Sequence, residues 1–290
     1  MYTPTMFQKI GTDYFIIDCW HHRILYSVDY GKDIAMWNVL TDDIRGGHTI
    51  AGDGDLYLCD DTDYNALRVF RKAGERFKQT QILGGIGTRP HFVFYDQSRS
   101  RFFCLSSLGG MFWTLLNDGG TLKVERSFLI AEIADTYVRS FSLIDGFLYL
   151  ISGNGFIWKL LFCSDGYRVK EKYAVPAEMA GMNCLAKIGG WFYISSYQNE
   201  AGAILPMFVR TRDLRELHAG IYEDLYGLFG FKGVPYYITA IDGRYFITEI
   251  DGASGVKSFA EHDGCISDIR THFFFAGHTA GSYARRMEKY

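Results

Sequence analysis

The chain has little proline, no long apolar run and no cluster of basic residues. Only 5 of its 290 residues are proline, and long polar tracts are few, so disordered linkers between domains are not expected. No apolar run approaches the roughly 18 residues that a membrane-spanning helix needs, which argues against a membrane partner. The net charge of −3 and the lack of a basic run argue against a nucleic-acid partner.

The N-terminal residues lack the charged segment followed by an apolar segment that marks a signal peptide. We therefore expect a cytoplasmic protein, although secretion of a processed form stays open.

The six cysteines never occur as a CxxC pair, so they lack the spacing of a zinc site. Cys19, Cys59, Cys104 and Cys184 stand in or beside apolar segments with the composition of strands. We expect them to be buried, reduced thiols that act as small hydrophobic side chains.

What the chain does have is a repeat of about 40 to 50 residues in which a tight turn precedes an aromatic-rich strand. Apolar residues make up 48% of the chain and aromatic residues 17%, which suits a protein made of strands. The turns align at Gly11-Thr12, Asp53-Gly54, Asp96, Asp145-Gly146, Gly189-Gly190 and Asp242-Gly243. This pattern predicts an all-β protein, a six-bladed β-propeller of four-stranded antiparallel blades.

We expect one domain over residues 1–290 because no change in composition divides the chain. The predicted blades cover approximately residues 5–40, 47–83, 90–130, 138–176, 181–222 and 235–270. Residues 271–290 are predicted to form a closing strand or a cap. If they form a true blade with the N-terminus, the count becomes seven.

The copies are alike in their apolar strands and differ where the first strand of each blade begins. In a propeller this strand lines the central channel, so these residues are expected at one channel mouth. One aligned row contains His48, His91 and Tyr237, and the row one residue earlier contains Arg139, Asn183 and Tyr236. Asp60 and Glu249 end second strands and are expected to reach the same region.

These residue types indicate a site for a polar ligand. His48 and His91 are predicted to act as an acid/base pair or as metal ligands. Arg139 would orient a carboxylate or phosphate, and Tyr236 would donate a hydrogen bond or a proton. These four are the predicted catalytic residues, and the predicted ligand-binding residues are Asn183, Tyr237, Glu249 and Asp60. The alternative is that polar groups in a wet channel bind only water or join neighbouring strands.

Residues 14–26, YFIIDCWHHRILY, resemble the strand, Asp, turn and His-Arg-Ile strand of NHL-type propeller repeats. Residues 60–70 are similar but looser, with Ala66 where the Arg would stand. The strand starts Gly47-His48-Thr-Ile and Pro90-His91-Phe-Val look like those of NHL repeats and of streptogramin lyase. The resemblance implies a divalent metal ion such as Ca, Mg or Zn, held by His or by carboxylate and Asn at the channel mouth.

Two functions are consistent with this pattern. In the first, the channel mouth binds a small polar or anionic molecule, with metal-assisted hydrolysis or elimination as its chemistry. In the second, the propeller is a non-catalytic module that binds a protein or a glycan through one face. Whether the protein is an enzyme stays open at this point.

Overall fold

The computed structural model describes residues 3–163, 166–252 and 254–275. Over these residues the chain forms six antiparallel sheets, each made of four strands that follow one another in sequence. We number these sheets blade one to blade six. This succession of four-stranded antiparallel blades confirms the predicted fold class, a six-bladed β-propeller.

The strands of the first three blades are short and lie in sequence order. Blade one contains β1 (Pro4–Ile10), β2 (Asp13–Asp18), β3 (Arg23–Ser27) and β4 (Asn38–Thr41). Blade two contains β5 (Ile50–Gly52), β6 (Leu56–Asp61), β7 (Ala66–Ala73) and β8 (Arg76–Gly84). Blade three contains β9 (Thr88–Asp96), β10 (Arg101–Leu108), β11 (Met111–Asp118) and β12 (Thr121–Leu129).

The last three blades repeat this order. Blade four contains β13 (Val138–Ile144), β14 (Phe147–Ser152), β15 (Phe156–Cys163) and β16 (Gly166–Ala174). Blade five contains β17 (Gly181–Ile188), β18 (Trp191–Gln198), β19 (Ile204–Thr211) and β20 (Glu223–Asp224). Blade six contains β21 (Val234–Ile241), β22 (Arg244–Ile250), β23 (Ser254–His262) and β24 (Cys265–Phe275).

Short 3₁₀ helices are the helical elements of the described residues. They span Cys19–His21, Ile34–Met36, Thr62–Tyr64, Ala131–Ile133, Ala177–Met179 and Leu214–Ala219. Of the predicted closing segment, residues 271–275 lie in β24, and residues 276–290 fall outside the described part of the chain.

The chain divides into two compact units. One consists of Gln8–Val138 and holds blades two and three with most of blade one. The other consists of Met1–Phe7 and Arg139–Tyr290, so it holds blades four to six together with the start of β1.

Tight turns place the strands next to each other. Asp145-Gly146 has φ of 51° and 81°, and Asp242-Gly243 has φ of 49° and 78°. Positive φ at both central residues is characteristic of the type I′ turn, whose twist matches that of a β-hairpin. The Asp-Gly signals at these two turns are therefore read correctly from the sequence.

Apolar side chains from neighbouring blades form the cores. In the Gln8–Val138 unit, Leu58 and Val69 of blade two pack with Val93 and Phe102 of blade three. In the other unit, Tyr149 of blade four lies in one cluster with residues of blade five. A further cluster joins Phe208 of blade five to Phe259 of blade six.

Buried hydroxyl groups also join one blade to the first strand of the next. In the Gln8–Val138 unit, Val93 N donates to Thr49 Oγ1 at 2.9 Å. In the other unit, Ser140 Oγ donates to Asn183 O at 2.7 Å, and Ser195 Oγ donates to Tyr236 O at 2.6 Å.

The same kind of bond ties blade six to β1. Thr239 Oγ1 donates to Phe7 O at 2.6 Å, and Thr248 Oγ1 donates to Thr5 O at 3.2 Å. The Phe7 ring also lies 5.0 Å from the Phe246 ring, centroid to centroid. These polar and apolar contacts hold the N-terminal residues against blade six.

We expect Thr239→Val to lower the free energy of unfolding by about 1–3 kcal/mol, because valine keeps the shape but leaves the buried Phe7 carbonyl without this donor. Urea denaturation measures the change. Thr121→Val, at an exposed strand position, is the matched control and should stay within about 0.5 kcal/mol of the parent protein. Equal effects at the two positions would contradict a role for the hydroxyl bond.

Candidate functional site

The predicted site residues fall into two groups, one in each compact unit. His48, His91 and Asp60 lie in the Gln8–Val138 unit, and we call them the histidine group. The remainder lie in the other unit, and we call them the arginine group: Arg139, Asn183, Tyr236, Tyr237 and Glu249. Each group is described by itself.

β-bulges position several of these residues. In blade three, Leu105 pairs with Phe92 and Ser106 with Pro90, so His91 is an extra residue in β9. Asn183 is likewise skipped in the pairing of β17 with β18. Tyr236 and Tyr237 lie between the pairs Pro235–Glu249 and Ile238–Ile247. A bulge bends its strand and redirects a side chain, and bulges are frequent beside functional sites.

The two histidine rings stack face to face. Their centroids are 3.7 Å apart and their planes differ by 24°. The edge of the Tyr137 ring packs against His91, with the centroids 5.9 Å apart and an interplanar angle of 84°. Both histidines are buried, His48 at 7% exposure and His91 at 1%. The packing fixes the orientation of both imidazoles.

Asp60 holds the backbone that carries His48. Its Oδ1 accepts from Thr49 N at 2.7 Å and from Thr49 Oγ1 at 2.8 Å. Its Oδ2 accepts from His48 N at 3.0 Å and from Thr62 Oγ1 at 2.7 Å. Because these donors belong to the protein, the buried carboxylate stabilises the local structure without a ligand.

The ring nitrogens of His48 face different groups. Nδ1 lies 3.2 Å from Thr62 Oγ1 and 3.5 Å from Asp60 Oδ2. Nε2 lies 3.8 Å from Cys19 Sγ. Neither Cys19 nor Thr62 was among the residues that the sequence predicts for a site.

The arrangement of His48 and His91 does not suit a shared metal ion. A metal binds imidazole in the plane of the ring, at about 2.0–2.1 Å from the nitrogen for zinc. Lone pairs of two nearly parallel, stacked rings run side by side and do not converge on one point. Within the described ranges, no three His, Cys, Asp or Glu side chains are grouped to hold a metal.

In the arginine group, Arg139 is held by two tyrosines. Its guanidinium carbon lies 4.2 Å from the centroid of the Tyr197 ring, a cation–π contact. Its Nη1 donates to the Tyr236 hydroxyl at 3.4 Å. Arg139 is 6% exposed, so this positive charge is largely removed from bulk water.

Asn183 is buried beside the start of β21, and its Oδ1 is an acceptor without a hydrogen bond among the residues that the structure describes. Its Nδ2 donates to Pro235 O at 3.0 Å, and the side chain is 1% exposed. Its buried Oδ1 has no hydrogen-bond partner in the described part of the chain. A buried acceptor without a partner costs free energy, so such an atom calls for an explanation.

The Glu249 carboxylate is bonded to the surrounding backbone, and Tyr237 lies in the adjacent strand. Glu249 Oε1 accepts from Lys232 N and Gly233 N, each at 2.6 Å, and its Oε2 lies 3.7 Å from Lys257 Nζ. Tyr237 N donates to Thr248 Oγ1 at 3.2 Å. Burial raises the pKa of the Tyr237 phenol well above its ordinary value, so the phenol stays protonated at neutral pH.

A cavity of about 250 Å³ lies on blade five, away from the predicted residues. Its walls include Trp191, Arg210, Arg212 and Tyr222. Arg210 and Arg212 both approach the Trp191 ring, at 4.3 and 4.5 Å from its centroid. No sequence motif marks this cavity, because it forms beside the two-residue strand β20.

No protein-family model matches the chain, and no curated protein matches it. Among solved structures, it is similar to a "putative 6-phosphogluconolactonase" from Bacteroides uniformis, with 13% identity and a TM-score of 0.63. The alignment covers 91% of this chain and 83% of that one. The protein of the same description from Bacteroides fragilis gives 10% identity, a TM-score of 0.63, and coverage of 91% and 82%.

Sqt1 from Saccharomyces cerevisiae is also similar, with 12% identity, a TM-score of 0.55, and coverage of 89% of this chain and 70% of that one. At these identities the similarity shows the fold, which these propeller-like proteins share with this chain. The more specific resemblance to NHL repeats stays a prediction. In the described residues, no helix has both the length and the apolar character needed to cross a membrane.

We expect Asp60→Asn to lower the free energy of unfolding by about 2–4 kcal/mol. The asparagine amide lacks the negative charge. It also places an NH₂ group where a carboxylate oxygen of the parent protein accepts hydrogen bonds, so donor would face donor. Chemical denaturation measures this effect. Asp118→Asn is the matched control, because Asp118 is half-exposed and paired with Lys123 at the surface, and it should change stability by less than about 1 kcal/mol. If Asp60→Asn leaves the free energy of unfolding unchanged, the carboxylate has no structural role.

Proposed function

We propose that Arg139, Asn183 and Tyr236 bind a small anionic molecule that also carries a hydroxyl group, such as a hydroxycarboxylate or a sugar acid. The observation that carries the proposal is the buried Asn183 Oδ1 without a hydrogen-bond partner. Asn183 and Arg139 stand in neighbouring first strands, which the bond from Ser140 Oγ to Asn183 O joins.

The three side chains offer complementary groups. Arg139 has planar N–H donors that suit carboxylate or phosphate oxygens. Asn183 Oδ1 accepts a hydrogen bond, so it favours a ligand hydroxyl over a second anionic oxygen. Leaving such an acceptor buried and unsatisfied costs about 1–3 kcal/mol, which a bound hydroxyl would recover.

Neighbouring contacts hold these groups in place before a ligand arrives. Tyr197 supports the guanidinium of Arg139, and Pro235 O fixes the amide of Asn183. Ser195 Oγ holds the backbone of Tyr236. A site whose groups are already oriented loses less entropy on binding, which favours affinity for a small ligand.

The comparisons suggest which ligand to use as a probe. Two proteins of similar fold carry a name that refers to hydrolysis of 6-phosphogluconolactone. The product of that hydrolysis, 6-phosphogluconate, has a carboxylate, hydroxyls and a phosphate, which are the groups that this site is proposed to recognise. Hydrolysis by the present chain is the second candidate function, and those two names support it.

We expect 6-phosphogluconate or gluconate to bind the parent protein and Arg139→Gln to weaken binding about 10- to 100-fold. This change corresponds to the loss of one charge-assisted interaction of about 1.5–3 kcal/mol. Tyr236→Phe removes only the hydroxyl that accepts from Arg139 and should weaken binding less. Isothermal titration calorimetry measures the dissociation constant for the parent protein and for both variants.

Arg101→Gln is the matched control, because Arg101 pairs with Glu125 on a partly exposed surface and should leave binding unchanged. No binding of either sugar acid, or equal binding by the Arg139→Gln protein, would contradict the proposed site. Hydrolysis is tested separately by proton release from 6-phosphogluconolactone. A rate no higher than that of spontaneous hydrolysis would contradict the hydrolysis proposal but would not contradict the proposed binding site.

A further inference from the structure

Cys19 and His48 form a buried thiol–imidazole pair in the Gln8–Val138 unit. Cys19 Sγ lies 3.8 Å from His48 Nε2, and Asp60 Oδ2 lies 3.5 Å from the opposite ring nitrogen, Nδ1. A thiol, an imidazole and a carboxylate are the groups that activate cysteine nucleophiles, and here Thr62 Oγ1 lies between the imidazole Nδ1 and the carboxylate. The proposed anion site uses none of these three residues.

The surroundings of His48 assign its tautomer. The hydroxyl of Thr62 has one hydrogen and faces two acceptors, Asp60 Oδ2 at 2.7 Å and Pro90 O at 2.8 Å. It therefore has no hydrogen left for His48 Nδ1, which must be the N–H that donates to Thr62 Oγ1. Nε2 then carries the lone pair, and that lone pair faces the Cys19 thiol.

The repeat supports the direction of this hydrogen bond. Cys19 begins the 3₁₀ helix after β2, and Thr62 begins the equivalent helix after β6. Both helices end at a left-handed residue, His22 in one and Asn65 in the other. Because Thr62 donates to the first strand of the following blade, the equivalent Cys19 thiol is expected to donate to His48, at the start of blade two.

Three other thiols have the same burial but a different environment. Burial raises the pKa of the Cys59 and Cys104 thiols well above the ordinary value, and it raises that of Cys184 to about 12. Cys59 Sγ donates to a backbone carbonyl, Arg68 O, which cannot accept a proton. Cys19 differs because a basic nitrogen can take its proton.

We propose that Cys19 is a site of reversible oxidation by small hydroperoxides, with His48 as the base that activates it. Cys19 is 0% exposed, which favours a small, uncharged reagent over a bulky acyl donor. Hydrogen peroxide has both properties and is the simplest member of this class.

The reaction balances without a further component. The thiol proton passes to His48 Nε2, and Asp60 stabilises the imidazolium that results. The thiolate attacks one peroxide oxygen, the O–O bond breaks, and the leaving hydroxide takes the proton from Nε2 to become water. Sulfur is oxidised by two electrons to the sulfenic acid while the peroxide is reduced, and an external thiol reverses the oxidation.

The test compares the buried thiols within one molecule. The full chain is treated with hydrogen peroxide, catalase removes the excess, and dimedone in urea then labels every sulfenic acid. Peptide mass spectrometry measures labelling at each cysteine. We expect Cys19 to be oxidised at least about tenfold faster than Cys59, Cys104 and Cys184, and dithiothreitol added in urea before dimedone should abolish the label.

His48→Gln should lower oxidation of Cys19 to the level of the other buried thiols, while exposed Cys265 serves as an internal standard that should not change. His218→Gln, at an exposed position, is the matched control and should leave Cys19 as reactive as in the parent protein. Oxidation of Cys19 no faster than that of the three buried thiols would overturn the proposal. So would fast oxidation that persists in a folded His48→Gln protein. If that variant does not fold, the comparison of the four thiols in the parent protein still decides.

Discussion

The structure depends on satisfying the backbone of the first strand of each blade. This strand lies at the edge of its sheet, so the polar groups on its outer side have no strand to pair with. They are nevertheless buried, and a buried backbone group without a partner is costly. Hydroxyls such as Thr49, Ser140 and Thr239 meet this requirement across neighbouring strands.

The two groups of candidate residues meet that requirement in opposite ways. In the histidine group, Asp60 accepts from two backbone amides and two hydroxyls, so its carboxylate is committed to the protein. In the arginine group, the buried Oδ1 of Asn183 has no such donor in the described residues. Polar atoms that are bonded within the protein stabilise the fold, whereas a ligand needs polar atoms that the protein has not already bonded. This contrast is why we propose the anion site in the arginine group, although both groups occupy corresponding places in the repeat.

The fold could be read from the sequence because its signals are local. Asp145-Gly146 and Asp242-Gly243 each demand a particular turn, and alternating apolar residues demand a strand on either side. The site was less accessible. A bulge such as that at His91 or Asn183 adds one residue without requiring a special residue type, so two neighbouring rows of candidates could not be separated. The contact of Cys19 with His48 could not be predicted either, because it joins residues that are 29 positions apart.

The bond between Thr239 and Phe7 has a consequence for the order in which the chain can fold. Its two residues are separated by 232 positions, and the N-terminal residues belong to the same compact unit as blades four to six. At about 5–20 residues per second, a ribosome needs roughly 10 to 50 s to synthesise the intervening chain. During that time β1 has emerged but its distant partner does not exist. The bond that ties β1 to blade six can therefore form only after the last blade has been made.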